Sequence, residues 1–437
     1  MARLSLRVAV VGCGPSGIAA LKNFADAGFD VTGFEMAQGV GGNWRYNDPT
    51  GHSSVFSTTH IISSKTNSQY EDFPLPAHYP DYPSHTQLKA YFEAYAGHFG
   101  LLPKVRFGTV VHDCTPLGDA AGKPRWRVSF HPRGAPEQIS HEDFDALVVC
   151  NGHHNQPRWP EYPGIFNGEY LHSHGFKSAE PFKGKRVLVI GGGNSACDCA
   201  VECGRVAERV DLSWRRGYWL LPKFLLGKPV DTLPRAGWLP VRLQQWLLES
   251  LIKMTQGSNE AAGLPVPDHH IAETHPTVNS ELYYYVRHGK VTPRGDVERF
   301  DGDCVVFKNG ERVIYDTVIA CTGYRIVHPF LSKTLIDFEN GPVPLYLRMI
   351  PANVGRLYFI GLFQPLGCIW PGAELQSKLA AKHLAGQWQP PGELQSLVAQ
   401  ELAQPDVQQL SSARHTITVD DPRFRQRLRA QLRRALT

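Results

Sequence analysis

No CxxC or CxxxxC pair occurs among the nine cysteines, and the nearest clustering is Cys197, Cys199 and Cys203. That pattern argues against a disulfide scaffold, a zinc site and a redox-active dithiol of the pyridine nucleotide–disulfide reductase kind. It points to a reducing compartment, so a cytoplasmic location is expected. No uninterrupted apolar run reaches the roughly twenty residues that a membrane span needs, so no transmembrane anchor is expected. The strand-like LRVAVVGCG starts at residue 6, and no signal peptide is expected ahead of it. A real surplus of charge is missing too. The formal net charge is +4, yet Arg423, Arg425, Arg427, Arg429, Arg433 and Arg434 fall in the last fifteen residues, which hold no acid. The remainder is near neutral and makes no case for nucleic-acid binding. His153–His154 and His269–His270 are adjacent pairs. Adjacency suits a shared metal poorly, so no metal is expected, and these histidines read as surface or loop residues.

What is present is a faint duplication in a chain of 437 residues, long enough for two domains. RVAVVGCGPSG (7–17) pairs with a later FDALVVCNG (144–152), and RVLVIGGGNSA (186–196) with YDTVIACTG (315–323). Continuous Val/Ile runs bounded by glycine are the signature of buried parallel strands. Helical stretches at 18–28 and 195–207 alternate with them, which argues for βαβ units. The fold class is therefore α/β, with two Rossmann-like dinucleotide-binding domains, the second inserted into the first. Glycine-rich sequence resumes at YFIGLFQPLG (358–367). A Trp/Leu-rich helical insertion spans about 218–290. Within it WLPVRLQQWLLESLIKM (238–254) carries Leu239, Leu243, Leu247 and Leu251 at four-residue spacing. It reads as an amphipathic helix packed on the second domain, with a substrate-channel or membrane-surface helix as the alternative.

Gly12, Gly14 and Gly17 form GxGxxG between a strand and a helix, and Glu35 ends the next apolar run 23 residues after Gly12. The glycines allow a tight turn, close approach of backbone to a pyrophosphate, and close helix–strand packing; the carboxylate accepts from a ribose diol. The second turn has Gly191, Gly193 and Ala196, and the place corresponding to Glu35 holds Arg215 and Arg216. Guanidinium forks there would bind a 2′-phosphate that a carboxylate would repel. The first site thus suits an unphosphorylated ribose and the second NADP. Two such sites in one chain suggest hydride passing from NADPH to a bound flavin.

FNGEYLHSHGF (166–176) fits FxGxxxHxxx[YF] through Phe166, Gly168, His172 and Phe176, upstream of the second glycine turn. GVGGNW (39–44), the DFPLPAHYPDYPSHTQLKAYFEAYAGHFGL stretch (72–101), WRRGYWLLPKFLLGKPVD (214–231), CTGY (321–324) and GLFQPLG (361–367) extend the match. On these motifs the chain resembles the flavin-containing monooxygenase family of class B flavin-dependent monooxygenases. The resemblance implies an FAD domain over 1–165 and 325–437 and an NADP domain over 166–324, with the 166–176 turn as the joint between them. It implies that NADPH reduces FAD, that O₂ then gives a C4a-(hydro)peroxyflavin, and that a soft nucleophile, an amine or sulfide, takes one oxygen atom. This is N,N-dimethylaniline-monooxygenase-like chemistry. Baeyer–Villiger oxidation of a ketone and uncoupled NADPH oxidation are the alternatives.

By the same resemblance Gly12, Gly14, Pro15, Ser16 and Gly17 line the FAD pyrophosphate and Glu35 its ribose. Gln38, Asn43 and Trp44 flank the flavin nucleotide, and Val111 meets adenine through its backbone. For NADP, Gly191, Gly193, Asn194, Ser195 and Ala196 form the turn, Arg215 and Arg216 hold the 2′-phosphate, and His172 holds the nucleotide or a domain contact. One departure stands out. Counting back from Lys65 and Asp72-Phe73-Pro74, the place of a flavin-side asparagine in many relatives is Ile62, followed by Ser63 and Ser64. Isoleucine donates no hydrogen bond. Either Ser63 or Ser64 fills the role, or the oxygenating intermediate is less protected. The expected partners are a small-molecule substrate and O₂, with a homodimer suggested by the apolar insertion. The C-terminal stripe Phe424, Leu428, Leu432 and Leu436 suits a helix docked on its own domain or a second subunit, with a peripheral membrane helix as the alternative.

Overall fold

The structure, a computed structural model, describes residues 5–118, 123–233, 238–271, 273, 276–339, 341–365, 367–404 and 416–435. Two compact units divide it: Met1–Ser53, Lys65–Gln156 and Arg325–Thr437 form the first, Ser54–Ser64 and Pro157–Tyr324 the second.

The first unit is built on five parallel strands in the order Leu357–Phe359, Ala146–Val149, Arg7–Val11, Asp30–Phe34, Val105–Arg106. Val8, Ala9 and Val10 are fully buried, as a strand covered on both faces demands. One face carries helix Pro15–Asp26, which buries Ile18, Leu21 and Phe24. The other meets an antiparallel sheet of Thr109–Gly118, Pro124–Pro132 and Ser140–Phe144, whose Cys114, Trp126 and Phe144 pack with Ala9, Val11 and Phe359. Helix His85–His98 starts at a reciprocal cap: the Ser84 hydroxyl accepts from Gln87 N–H at 3.3 Å, and Ser84 N–H donates to Gln87 Oε1 at 2.9 Å.

Helix Asp421–Arg434 docks within this unit. Asp420 caps it by accepting from Arg423 N–H at 3.1 Å, and Phe424 and Leu428 are fully buried, the Phe424 ring lying tilted 4.8 Å from Phe363. Arg425, Arg427 and Arg429 pair with Asp421, Glu401 and Glu71. Only the Arg429–Glu71 pair is exposed, the kind that contributes about 0–1 kcal/mol, while the other two are part-buried; each buried large apolar side chain contributes roughly 1.5–3 kcal/mol. Buried Phe424 and Leu428 and the two part-buried ion pairs together hold the helix. Leu436 lies outside the described residues.

The second unit repeats the plan with strands ordered Val291–Arg294, Arg209–Ser213, Arg186–Ile190, Thr317–Ala320, Glu169–His172, again all parallel. Helix Asn194–Gly204 covers one face through Ala196, Cys197, Ala200 and Cys203. An antiparallel meander of Val297–Asp301, Cys304–Phe307 and Arg312–Ile314 covers the other.

Three expectations are corrected here. The 166–176 run is no joint: Glu169–His172 is the edge strand of the second sheet, in register with Thr317–Ala320. Gly168 is needed because a Cβ there would lie 2.6 Å from Asp316 O, whereas one on Gly175 would meet nothing closer than 3.4 Å. The second unit also takes in 54–64 and 157–165, placed with the first by sequence. Ser57 N–H donates to Lys177 O at 2.9 Å, Phe56 meets Phe176 edge-to-face at 5.4 Å, and Phe300 N–H donates to Pro163 O at 2.8 Å. Finally, the insertion helix runs Val241–Gln256, and the middle of its leucine stripe faces outward, with Leu243 41% and Leu247 46% exposed, while Leu239 and Leu251 are half-buried. Glu249 and Ile252 are buried instead. Glu249 Oε1 accepts from Ile271 N–H at 2.9 Å, and Gln245 Nε2 donates to Ile271 O at 2.9 Å.

Candidate functional site

In the first unit the strand Arg7–Val11 ends at Gly12, whose φ of +91° only glycine adopts readily. A Cβ on it would sit 2.7 Å from Cys150 O, and one on Gly17 would sit 1.9 Å from Gly12 O. Both glycines are thus demanded by packing. Gly14 is different. It caps helix Pro15–Asp26 with ordinary dihedrals and no side-chain cap, and a Cβ there would first meet Gly42 Cα at 3.4 Å. The N–H groups of that first turn have no intrahelical acceptors and can receive an anion. Ser16 reaches Gly361 of the returning GLFQPLG segment, its Oγ 2.1 Å from where a Cβ would be. Pro15 O accepts from the Tyr70 hydroxyl at 2.7 Å.

Glu35 follows strand Asp30–Phe34 and is buried. One carboxylate oxygen accepts from Cys13 N–H and the other from Ala37 N–H, both at 2.8 Å. Burial raises its pKa, against the lowering effect of these two donors. Each oxygen retains a lone pair for a hydroxyl donor. Thr109 N–H donates to Glu35 O at 2.9 Å, which ties the strand carrying Val111 to this end of the sheet. The strand's register shifts between Val111 and Asp113. Gln38 is exposed beside Gly108. Asn43 O accepts from the Ser53 hydroxyl at 2.6 Å, and Trp44 stands edge-on to Trp370 at 5.9 Å. All ten first-site residues thus belong to one unit.

In the second unit Gly191 has φ +135°, and a Cβ on it would lie 2.5 Å from Cys321 O. Gly193 caps helix Asn194–Gly204 in extended conformation, without a side-chain cap. Asn194 Oδ1 accepts from Val278 N–H at 2.7 Å, Ser195 is exposed and Ala196 is fully buried. Beyond strand Arg209–Ser213, Arg215 is exposed and makes no ion pair among the described residues. Arg216 rests on Tyr218, with Nε donating to its hydroxyl at 3.3 Å and the guanidinium 5.3 Å from the ring centroid. The Tyr218 ring closes on Gly192, 2.1 Å from where a Cβ would be.

His172 ends the edge strand, buried, its Nδ1 accepting from His174 N–H at 3.1 Å. Burial, then neighbouring His174, pushes its pKa down to about 4, so the ring is neutral near pH 7. Ile62 is half-buried, and Ser63 and Ser64 are buried, in the 54–64 segment of the second unit. Ser64 N–H donates to Asp231 at 2.7 Å, and its hydroxyl makes no hydrogen bond among the described residues.

Sequence reasoning missed the braces on the second turn: Thr277 Oγ1 donates to Gly192 O at 2.8 Å and Asn279 Nδ2 to Asp198 at 2.8 Å. Burial, against this donor, pushes Asp198 up to about 6. No local pattern marks a brace some 80 residues downstream. His153 is no surface residue; it is buried beside Gln364, Nε2 to Oε1 3.2 Å.

Residues 5–420 match the family described as Flavin-binding monooxygenase-like. The chain belongs to that family. The monooxygenase is 35% identical over 436 residues to flavin-containing monooxygenase 5 of Oryctolagus cuniculus, covering 95% of this chain and 80% of that protein. It is 34% identical over 405 residues to dimethylaniline monooxygenase [N-oxide-forming] 2 of Rattus norvegicus, covering 89% and 75%. The solved structure of S-allyl-L-cysteine S-oxygenase from Allium sativum shares the fold, with a TM-score of 0.72 at 22% identity over 99% of this chain and 89% of that one. The monooxygenase is an NADPH-dependent flavoprotein oxidoreductase using FAD and NADP(H), with two Rossmann-type units. No described helix is long and apolar enough to cross a membrane.

Proposed function

We propose that the first unit holds FAD, the second holds NADP(H), and the enzyme oxygenates soft nucleophiles at amine nitrogen or sulfide sulfur. The observation that carries the reading is the contrast at equivalent strand ends: buried Glu35 in one unit, Arg215 and Arg216 in the other. The uncapped turn at Gly12–Gly17 receives the FAD pyrophosphate, and Glu35 accepts from its ribose hydroxyls. Gln38, Asn43, Trp44 and Val111 complete that site. Gly191–Ala196 receives the NADP pyrophosphate, and the two guanidinium groups bind the 2′-phosphate. FAD held in the first unit and reduced by NADPH would supply the O₂ activation from which one oxygen atom goes to the substrate and the other to water. The chain's own part is binding, orientation and exclusion of water, so no general base is assigned, and neutral His172 is not one.

Ile62 favours a second reading, NADPH oxidation that yields peroxide, because isoleucine offers no donor at that place. Both are tested by following NADPH, O₂ and product mass with dimethylaniline, an aryl methyl sulfide and cyclohexanone. A gain of one oxygen on amine or sulfide, matched to NADPH consumed, supports oxygenation. Ester from the ketone alone would replace it with the Baeyer–Villiger reaction. Peroxide equal to NADPH with every compound would leave the oxidase.

A further inference from the structure

We infer that Cys199 and Cys321 form a peroxide-sensitive thiol pair beneath the second glycine turn, a site of reversible oxidation to a disulfide that loosens the grip on the pyridine nucleotide. The loss of affinity rests on the NADP reading of that unit; the oxidation itself does not. Cys321 directly follows strand Thr317–Ala320, and its N–H donates to Ile190 O at 2.8 Å, at the end of the neighbouring strand. Cys199 lies in helix Asn194–Gly204, far away in the sequence. In the folded chain the two thiols meet and share a hydrogen bond. Cys321 packs there against the buried cluster that holds Cys197, Cys199 and Cys203. Both members of the pair are reduced.

The two differ in access. Cys199 is buried, whereas Cys321 is half-buried. The hydrogen bond to Cys321, then burial, pushes the Cys199 pKa up, so Cys199 keeps its proton. An oxidant arriving from solvent therefore meets Cys321 first. The oxidant is hydrogen peroxide, the product named above for turnover without oxygen transfer. The Cys321 sulfur, its proton lost to solvent, attacks one peroxide oxygen; an S–O bond forms, the O–O bond breaks, and hydroxide leaves to become water. The Cys199 sulfur then displaces the oxygen from Cys321. An S–S bond forms, the S–O bond breaks, and the Cys199 proton departs with the hydroxide as a second water. Two thiols are oxidised to one disulfide, and one peroxide is reduced to two waters.

The pair sits where such a bond matters. A Cβ on Gly191 would lie 2.5 Å from Cys321 O and 3.2 Å from Cys321 Cβ, so Cys321 is the floor under the first glycine of the turn. The helix that carries Cys199 begins, uncapped, at the same turn. A disulfide is about 2.05 Å long, well inside the separation of two hydrogen-bonded sulfurs. Closing it draws the helix towards the strand end and shifts the N–H groups that would meet a pyrophosphate.

The test treats the FAD-loaded enzyme with hydrogen peroxide, blocks the remaining thiols and maps the peptides by mass. The expected product is a cross-linked pair of peptides carrying Cys199 and Cys321, opened again by dithiothreitol. In that material NADP⁺ should bind on the order of tenfold more weakly, the size of one or two lost contacts to phosphate, and dithiothreitol should restore it. 2′,5′-ADP, which keeps the 2′-phosphate and lacks the pyrophosphate bridge, should lose less. Cys199→Ala should form no cross-link and leave a Cys321 sulfenic acid that dimedone traps. No cross-link, a cross-link between other cysteines, or unchanged NADP⁺ affinity in the cross-linked protein would overturn the proposal while leaving the NADP reading in place. A reduced wild type that binds neither ligand would overturn that reading and with it the effect on affinity, while the peptide map still decides the thiol pair.

Discussion

The two glycine turns share their backbone logic and part company at their ends. In each, the first glycine has positive φ and presses on a carbonyl of the neighbouring strand, Cys150 O in one unit and Cys321 O in the other. In each, the helix that follows starts without a side-chain cap. The third motif position differs, Gly17 against Ala196. So does the strand end: Glu35 is held inside by two backbone donors, whereas Arg215 is exposed and Arg216 is propped on Tyr218. The glycines report how tightly helix and strand pack. In the proposed assignment, the charged residue downstream selects the ribose.

The contrast can be broken most completely at the first turn. Gly14→Leu should give a colourless protein, because Gly14 has ordinary dihedrals and its side-chain space is where the proposed site puts the phosphate. Gly17→Ala should lose FAD as well, since its Cβ would collide with Gly12 O. Flavin absorbance of the purified variants reads both, and a fully yellow Gly14→Leu protein would contradict the assignment. At the second turn, Arg215→Ala with Arg216→Ala should weaken 2′,5′-ADP on the order of 100-fold, two charge-assisted contacts being lost. Calorimetric titration measures it, and FAD content should not change.

A smaller effect is shared by the units. His172 in the second and His328 in the first are both pushed down to about 4 by burial, aided by neighbouring His174 and His153. Each is neutral when native and titrates near 6.5 when unfolded. The unfolded state therefore binds more protons below pH 6.5, and stability falls from there towards pH 4, by up to about 3 kcal/mol per histidine. Urea midpoints measured from pH 7.5 to 5 should fall less steeply in His328→Phe and His172→Gln; unchanged slopes would refute the cause. Smallest is Ala196→Gly. It restores the glycine pattern inside a helix and should cost about 1 kcal/mol, visible in Tm, with NADP⁺ affinity retained.

Much of this contrast was legible in the sequence because it is local. A strand, a turn and a helix start are adjacent in the chain, and Glu35 and Arg215 close the next strand. What was not legible depends on distant partners. Segments 54–64 and 157–165 join the second unit through Lys177 and Phe300, which no local pattern announces. The leucine stripe at 243–251 suggested an inward face. The helix instead buries Glu249, which finds its donor at Ile271. Tyr218 and Thr277 prop the second turn from the insertion, so their role appears only once the chain has folded.

Anaerobic reduction of the bound flavin, followed by its loss of absorbance on mixing with NADPH or NADH, tests the central claim most directly. The account predicts much faster bleaching with NADPH in the wild type, and loss of that preference in Arg215→Ala/Arg216→Ala at undiminished FAD content. Equal rates with both nucleotides in the wild type, or a double variant that keeps its preference, would contradict it.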